Sequence, residues 1–289
     1  MTKVCAIALI FAVAAAVAGT TGRSQRPTFA ARVESVRVDA LVTENGQPVP
    51  GLRPADFEVF DNGVRQEVEF VSFEQVPLDV VLVLDMSDSV AGERLDHLRS
   101  ASNAVLGGLA GEDRAALVTF NHAVSLGSPL TKDVAAVRSA LNLAEGNGQT
   151  ALVDGVYAAM ILGESETSRA LQLVFSDGLD TTSWLSSAAV LDVAKRADIV
   201  VYAVATAGGG SPFLRDLSAV TGGSLIQIAS SGDLRKTFLR ILDEFRHRYL
   251  LSYSPRGVTT SGWHRLDVRV RNRRAVVKAR PGYLAGSQP

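Results

Sequence analysis

Past residue 31 the hydrophobic and polar positions fall into three regimes. From Arg32 the pattern alternates over short runs. Val33, Val36, Val38, Ala40 and Val42 lead into Glu44-Asn45-Gly46-Gln47, where Asn-Gly predicts a hairpin turn. Phe57-Glu58-Val59-Phe60 and Val68-Glu69-Phe70-Val71 flank Asp61-Asn62-Gly63, a second such turn. Residues 79–247 behave differently: short apolar runs alternate with segments of helical period. Strands are predicted at 79–85, 115–120, 169–176, 198–204 and 224–228, and helices at 93–109, 132–144, 152–163, 185–196, 213–220 and 232–247. In the last helix Leu234, Phe238, Ile241, Leu242 and Phe245 share one face. Such alternation predicts an α/β fold, a doubly wound, mostly parallel Rossmann-like sheet with helices on both faces. After Arg248 the β pattern returns at 249–253, 263–270 and 274–278, ending in Arg280-Pro281-Gly282-Tyr283.

Neither terminal β stretch has enough strands to bury a sheet face alone. The expected organisation is therefore an α/β domain over 77–247 with a flanking β-rich domain, in which 32–76 pairs with 248–284. Trp263, Tyr249, Tyr253 and Tyr283 are expected to be its core aromatics.

The N-terminus is of another character. Lys3 precedes an apolar run from Val4 to Val17, and Ala16-Val17-Ala18 has the small-x-small form of a cleavage site. Residues 1–18 read as a secretory signal peptide, with a retained membrane anchor as the alternative, and 19–31 as a flexible leader. The single cysteine, Cys5, lies inside the signal segment, so the mature chain has neither disulfide nor thiol chemistry. No later stretch has the length of a membrane span. The expected location is secreted, periplasmic or cell-envelope. A formal net charge of −1 gives no basic footprint for nucleic acid.

Candidate chemistry begins at Asp79-Val80-Val81-Leu82-Val83-Leu84-Asp85-Met86-Ser87-Asp88-Ser89. A strand buried on both faces ends in an acid, followed by oxygen side chains at 87 and 89. The carboxyl edge of such a sheet is where ligands bind. Asp and Ser are hard oxygen donors suited to Mg²⁺, Mn²⁺ or Ca²⁺, although a solvated Asx or Ser turn gives the same local pattern. Two further loops belong to that edge: Gly146-Asn147-Gly148-Gln149-Thr150, which opens a helix, and Phe175-Ser176-Asp177-Gly178, which ends a buried strand.

Taken in order, these pieces resemble a von Willebrand factor type A domain with a metal-ion-dependent adhesion site (MIDAS). The flanking β stretches resemble those of a VWFA-related family best known from acidobacteria. The resemblance implies that Asp85, Ser87, Ser89, Thr150 and Asp177 form the metal site. It implies direct ligation by Ser87, Ser89 and Thr150, with Asp85 and Asp177 often acting through water. The implied ion is Mg²⁺, with Mn²⁺ or Ca²⁺ possible, and the implied partner is a protein offering an Asp or Glu carboxylate to the open position. One position departs from the pattern: Asp88 stands where the family usually has Gly, and it is expected to face solvent. Asp180 is expected to cap a turn or helix.

Catalysis finds little support. The chain lacks a G-x-S-x-G elbow, an H-E-x-x-H helix and the Gly-Lys of a P-loop. Its four histidines, His97, His122, His247 and His264, show no ligand spacing, and His97 and His247 read as exposed helix residues. A phosphatase-like role for Asp85 is weakened because Ser87 stands where an aspartate acid/base is expected. A metal-free VWFA scaffold remains the other alternative.

Overall fold

The computed structural model describes residues 35–73, 76–163, 167–177, 179–206 and 211–286. The signal-peptide and leader segments lie outside the described residues. In chain order come β1 (Val36–Glu44), β2 (Gln47–Pro48), β3 (Phe57–Asp61), β4 (Val64–Gln66), β5 (Phe70–Phe73), β6 (Leu78–Asp85) and α1 (Glu93–Gly107). Next are β7 (Arg114–Phe120), β8 (Val124–Thr131), α2 (Val134–Leu143), α3 (Leu152–Gly163), β9 (Arg169–Phe175), α4 (Ser187–Ala194) and β10 (Ile199–Thr206). The chain continues through α5 (Pro212–Val220), β11 (Ser224–Ile228), α6 (Leu234–Arg246), β12 (Arg248–Tyr253), β13 (Gly262–Val270), β14 (Val276–Lys278) and β15 (Gly282–Ala285).

The α/β sheet has strand order β11-β10-β9-β6-β7-β8 and is parallel except for β8. Every residue of β6 is buried: the aliphatic run Val80–Leu84 fills both faces, and the acids Asp79 and Asp85 flank it. Val80, Leu82 and Leu84 pack towards α1, α2 and α6, whereas Val81 and Val83 pack towards α3, α4 and α5. The two-residue period of a strand thus assigns alternate side chains to opposite helical layers. From β6 the chain winds outward to β7 and β8, then crosses back to β9 on the other side of β6. The strand order therefore reverses beside β6, where the carboxyl edge leaves a crevice for ligands.

Strand β8 has no counterpart in the sequence reading. It is an antiparallel edge strand containing Gly127 and Pro129, and its register on β7 shifts twice. An edge strand tolerates proline because one side of it needs no ladder partner, and such a strand lacks the apolar run by which the inner strands are recognised.

The N- and C-terminal segments build two facing antiparallel sheets. One has the order β14-β1-β12-β5, with β2 on β1; the other has the order β15-β13-β3-β4. Val38, Ala40, Val42, Tyr249, Leu251 and Tyr253 of the first meet Phe57, Val59 and Leu266 of the second in one core. Asn45 and Gly46 both take positive φ, 51° and 77°, and so do Asn62 and Gly63, 48° and 81°. These are the turn conformations whose twist suits a two-residue hairpin. The second hairpin joins β3 to β4, not to the Val68–Val71 stretch; Phe70–Phe73 pairs instead with β12 in the opposite sheet. Tyr249 and Tyr253 are core residues, but Trp263 is 42% exposed and does not belong with them. His97 and His247 are half-buried rather than exposed, bonded to Ser231 Oγ and to the Asp243 carbonyl respectively.

Candidate metal centre at the carboxyl edge

Three loops meet where β6 and β9 end. In the first, Ser87 leads into a 3-10 turn over Asp88–Val90, closed by the Val90 amide on the Ser87 carbonyl at 3.0 Å. Buried Met86 and Val90 anchor that turn, and it brings Ser87 Oγ within 3.2 Å of Ser89 Oγ. Asp85 Oδ1 accepts from the Ser87 amide at 2.9 Å, and Oδ2 accepts from Ser176 Oγ at 2.7 Å. Ser89 Oγ donates to Asp177 Oδ1 at 2.6 Å. Asp85, Ser87, Ser89 and Asp177 thus form one continuous polar run from the end of β6 to the end of β9.

The second loop brings in Thr150. Asn147 N donates to Met86 O at 2.8 Å, and Asp88 N donates to Gly148 O at 3.0 Å. Asp88 is exposed, as expected, yet its carboxylate is engaged: Oδ1 accepts from the Gly148 amide at 2.8 Å. Gly148 sits at φ +79°, and a Cβ there would lie 2.7 Å from His122 Nδ1. Only glycine fits that corner without strain. Thr150 is buried at the entry to α3, and its hydroxyl has no hydrogen-bond partner among the described residues. No hydrogen bond links Thr150 directly to Asp85, Ser87, Ser89 or Asp177 among the described residues, so its place at the site comes from the loop-to-loop backbone bonds.

The third loop follows Asp177 and clamps the start of α3. The Thr181 amide donates to Thr150 O at 2.9 Å, and Thr181 Oγ1 accepts from the Thr150 amide at 3.0 Å. Asp180 Oδ1 accepts from the Val153 amide at 3.2 Å, which makes it a cap for otherwise unpaired helix donors. In return, Asp154 accepts from the amides of Trp184 and Leu185, both at 2.9 Å. Helix α3 lies close to β7 because residue 155 is Gly: a Cβ there would be 2.7 Å from the Phe120 ring.

The donor set is all oxygen. Among the described residues no three His, Cys, Asp or Glu side chains converge on a metal position. The cluster offers two carboxylates and three hydroxyls, the hard oxygen donors that suit Mg²⁺, Mn²⁺ or Ca²⁺. Burial, reinforced by the like charge of Asp177, raises the Asp85 carboxyl above its ordinary range despite the bonds from Ser87 and Ser176. A buried carboxylate facing a second one is the environment a divalent cation relieves, and the residues therefore fit such an ion.

Two members of the cluster have no place in the sequence reading. Ser176 lies beside Asp177 in the very loop identified, and the signal available is a hydroxyl immediately after a buried strand. Arg94, on α1, donates through Nη1 to Asp177 Oδ2 at 2.5 Å and to Ser89 O at 3.0 Å. A lone arginine in an amphipathic helix carries no signal of its own.

Comparison with known proteins agrees with this architecture. The family model for the von Willebrand factor type A domain matches residues 79–246. No curated protein sequence matches. Among solved structures, a von Willebrand factor type A protein from Catenulispora acidiphila superposes with TM-score 0.56 at 12% identity, over 85% of this chain and 75% of that one. Proximal thread matrix protein 1 from the mussel byssus, solved with a zinc-occupied MIDAS motif, gives TM-score 0.55 at 15% identity, over 64% of this chain and 49% of its own. The vWF domain of the type V pili tip protein Mfa5 from Porphyromonas gingivalis gives 0.50 at 16% identity, over 64% of this chain and 98% of that domain. At these identities the likeness is one of fold.

Proposed function

The chain belongs to the von Willebrand factor type A domain family, and within it we propose a secreted, non-enzymatic adhesion module in which Asp85, Ser87, Ser89, Thr150 and Asp177 hold one divalent cation, Mg²⁺ foremost. The ion supplies a Lewis-acidic position, open to water, that a partner protein's Asp or Glu carboxylate completes. The protein's part is to bind and orient: with Asp85 and Asp177 acting through water, the direct ligands are three neutral hydroxyls, so the cation keeps its attraction for an incoming carboxylate. The observation that carries the reading is the hydrogen-bonded run Asp85–Ser87–Ser89–Asp177, with the Thr150 loop stitched to it, at the point of strand-order reversal. Export follows from the signal-like segment 1–18, with a mature N-terminus near Gly19. No helix among the described residues is long and apolar enough to cross a membrane.

Capture from the native cell envelope tests the reading. Wild type in Mg²⁺ is expected to retain a partner that is lost in EDTA and lost with Asp85→Ala. A partner held equally well under all three conditions would remove this edge as the recognition surface. One observation favours the metal-free scaffold instead: Asp177 already has a cationic neighbour in Arg94.

A further inference from the structure

We infer that Arg94 is a tethered cation that competes with the divalent ion for Asp177, and so sets how tightly the site takes metal. This rests on the metal-binding reading above. Both oxygens of Asp177 are engaged by protein donors, Oδ1 by the Ser89 hydroxyl at 2.6 Å and Oδ2 by Arg94 Nη1 at 2.5 Å. The Asp177 side chain is only 1% exposed, whereas that of Arg94 is 47% exposed. The carboxylate is therefore fixed, while the guanidinium sits at the solvent side of the cluster. Asp85, by contrast, takes its hydrogen bonds from the neutral Ser87 amide and Ser176 hydroxyl. Among the described residues, Arg94 is the only Lys or Arg that bonds any of the five site residues.

Its place in the helix makes the pairing informative. Arg94 lies in the first turn of α1, where the helix dipole disfavours a cation and favours acids. The ion pair with Asp177 and the bond to the Ser89 carbonyl offset that disadvantage. The same nitrogen thus ties the Asp88–Val90 turn to the end of β9, which is the connection a metal shared by Ser89 and Asp177 would also make. Guanidinium and metal do the same electrostatic job for one carboxylate. A metal drawing on Asp177, directly or through water, must then share it with Arg94 and meet its positive charge. Removing that charge leaves two carboxylates without a counter-cation, a more attractive site for a divalent ion and a less stable one without it.

The test is calorimetric titration of the full chain with Mn²⁺ alone, alongside thermal unfolding with and without the ion. Arg94→Gln and Arg94→Ala are expected to bind Mn²⁺ on the order of tenfold more tightly than wild type at low ionic strength. Without metal they should unfold at lower temperature than wild type, and they should show a larger metal-induced rise. Arg94→Lys, which keeps the charge, should remain near wild type. The gap should narrow in about 1 M salt, where the Debye length falls to about 3 Å. If Arg94 merely holds Asp177 in position, Arg94→Gln will bind Mn²⁺ equally or more weakly, and the inference is overturned. Wild type that binds Mn²⁺, with Asp85→Ala that does not and Arg94→Gln unchanged, sinks this inference and leaves the metal site standing. No binding by wild type or Arg94→Gln sinks both.

Discussion

Arg169, at the first position of β9, donates through Nε to Asp39 of β1 at 2.6 Å, with both side chains inside the protein. Residues from the α/β sheet and the β-sandwich are thereby joined by a buried ion pair. Arg169 also donates to the Phe245 carbonyl at 3.0 Å, and its guanidinium lies 4.7 Å from the centre of the Phe245 ring. Nearby, buried Arg248 donates to Tyr202 Oη at 2.8 Å and Gly222 O at 2.7 Å. Removing one partner of a buried pair strands the other charge, at a cost of about 3–5 kcal/mol. Asp39→Ala should therefore lower stability by about that much in urea unfolding, while Arg169→Met combined with Asp39→Leu should recover most of it. A single mutant within about 0.5 kcal/mol of wild type would show that this pair does not hold the two parts together.

Metal dependence gives the second prediction. If the cation binds only the native state, Mg²⁺ or Mn²⁺ at a hundredfold excess over Kd should add about 2.7 kcal/mol of stability. Asp85→Ala and Asp177→Ala should abolish that increment. Thr150→Ala should shrink it less, since water can replace a neutral hydroxyl. Thermal unfolding in Mn²⁺ against EDTA reads all three, and an increment that survives Asp85→Ala would move the ion elsewhere.

Glu244 carries a pH prediction. Burial pushes its carboxyl up, but the Tyr202 hydroxyl, Lys278 Nζ at 3.1 Å and the Arg248 charge together outweigh burial and hold it below the usual range. A carboxyl depressed in the folded state contributes stability above its unfolded pKa, about 4.3, and that contribution is lost as pH falls through the lower folded value. Glu244→Gln should thus be destabilised relative to wild type at pH 7, and the gap should close as pH falls below about 4. A gap of constant size across that range would mean that the charge of Glu244 is not what stabilises the fold.

The legible parts of this molecule are those whose physics is local. Strand β6 is readable because burial on both faces demands an unbroken apolar run, and α6 because one face must meet the sheet. The two Asn-Gly turns are readable because so few residues tolerate consecutive positive φ. Which strand follows a turn is less local: Phe70–Phe73 has the same alternation whether it pairs with β3 or with β12, and the choice is made by β12, over 170 positions away. The β8 edge strand, with Gly127 and Pro129, has no periodicity to read. At the candidate site the oxygen-bearing positions stand out by residue type and spacing. Ser176 and Arg94 act through contacts that exist only once β6, β9 and α1 are packed. Trp263 shows the limit of composition as a guide, since an aromatic in a β-rich segment points outward as readily as inward.

Asp88 supplies the last prediction, because two effects of its side chain can be separated. Its carboxylate accepts from the Gly148 amide at 2.8 Å, pinning the loop that leads to Thr150, and it adds negative charge beside the cluster. Its backbone bond to Gly148 O, at 3.0 Å, is indifferent to the side chain. Asp88→Asn keeps an acceptor and removes the charge; Asp88→Ala removes both. A hydrogen bond of this kind contributes about 0.5–1.5 kcal/mol, so Asp88→Ala should be less stable than Asp88→Asn by that amount in the absence of metal. For the cation the order differs. Both variants lose the nearby charge and should bind Mn²⁺ a few-fold more weakly, with Asp88→Ala weaker still because the Thr150 loop is less well held. Urea unfolding in EDTA and Mn²⁺ titration together check this. Equal stability of the two variants would show that the Gly148 contact does not pin the loop, and unchanged Mn²⁺ affinity in Asp88→Asn would show that the charge is too well solvated to reach the site.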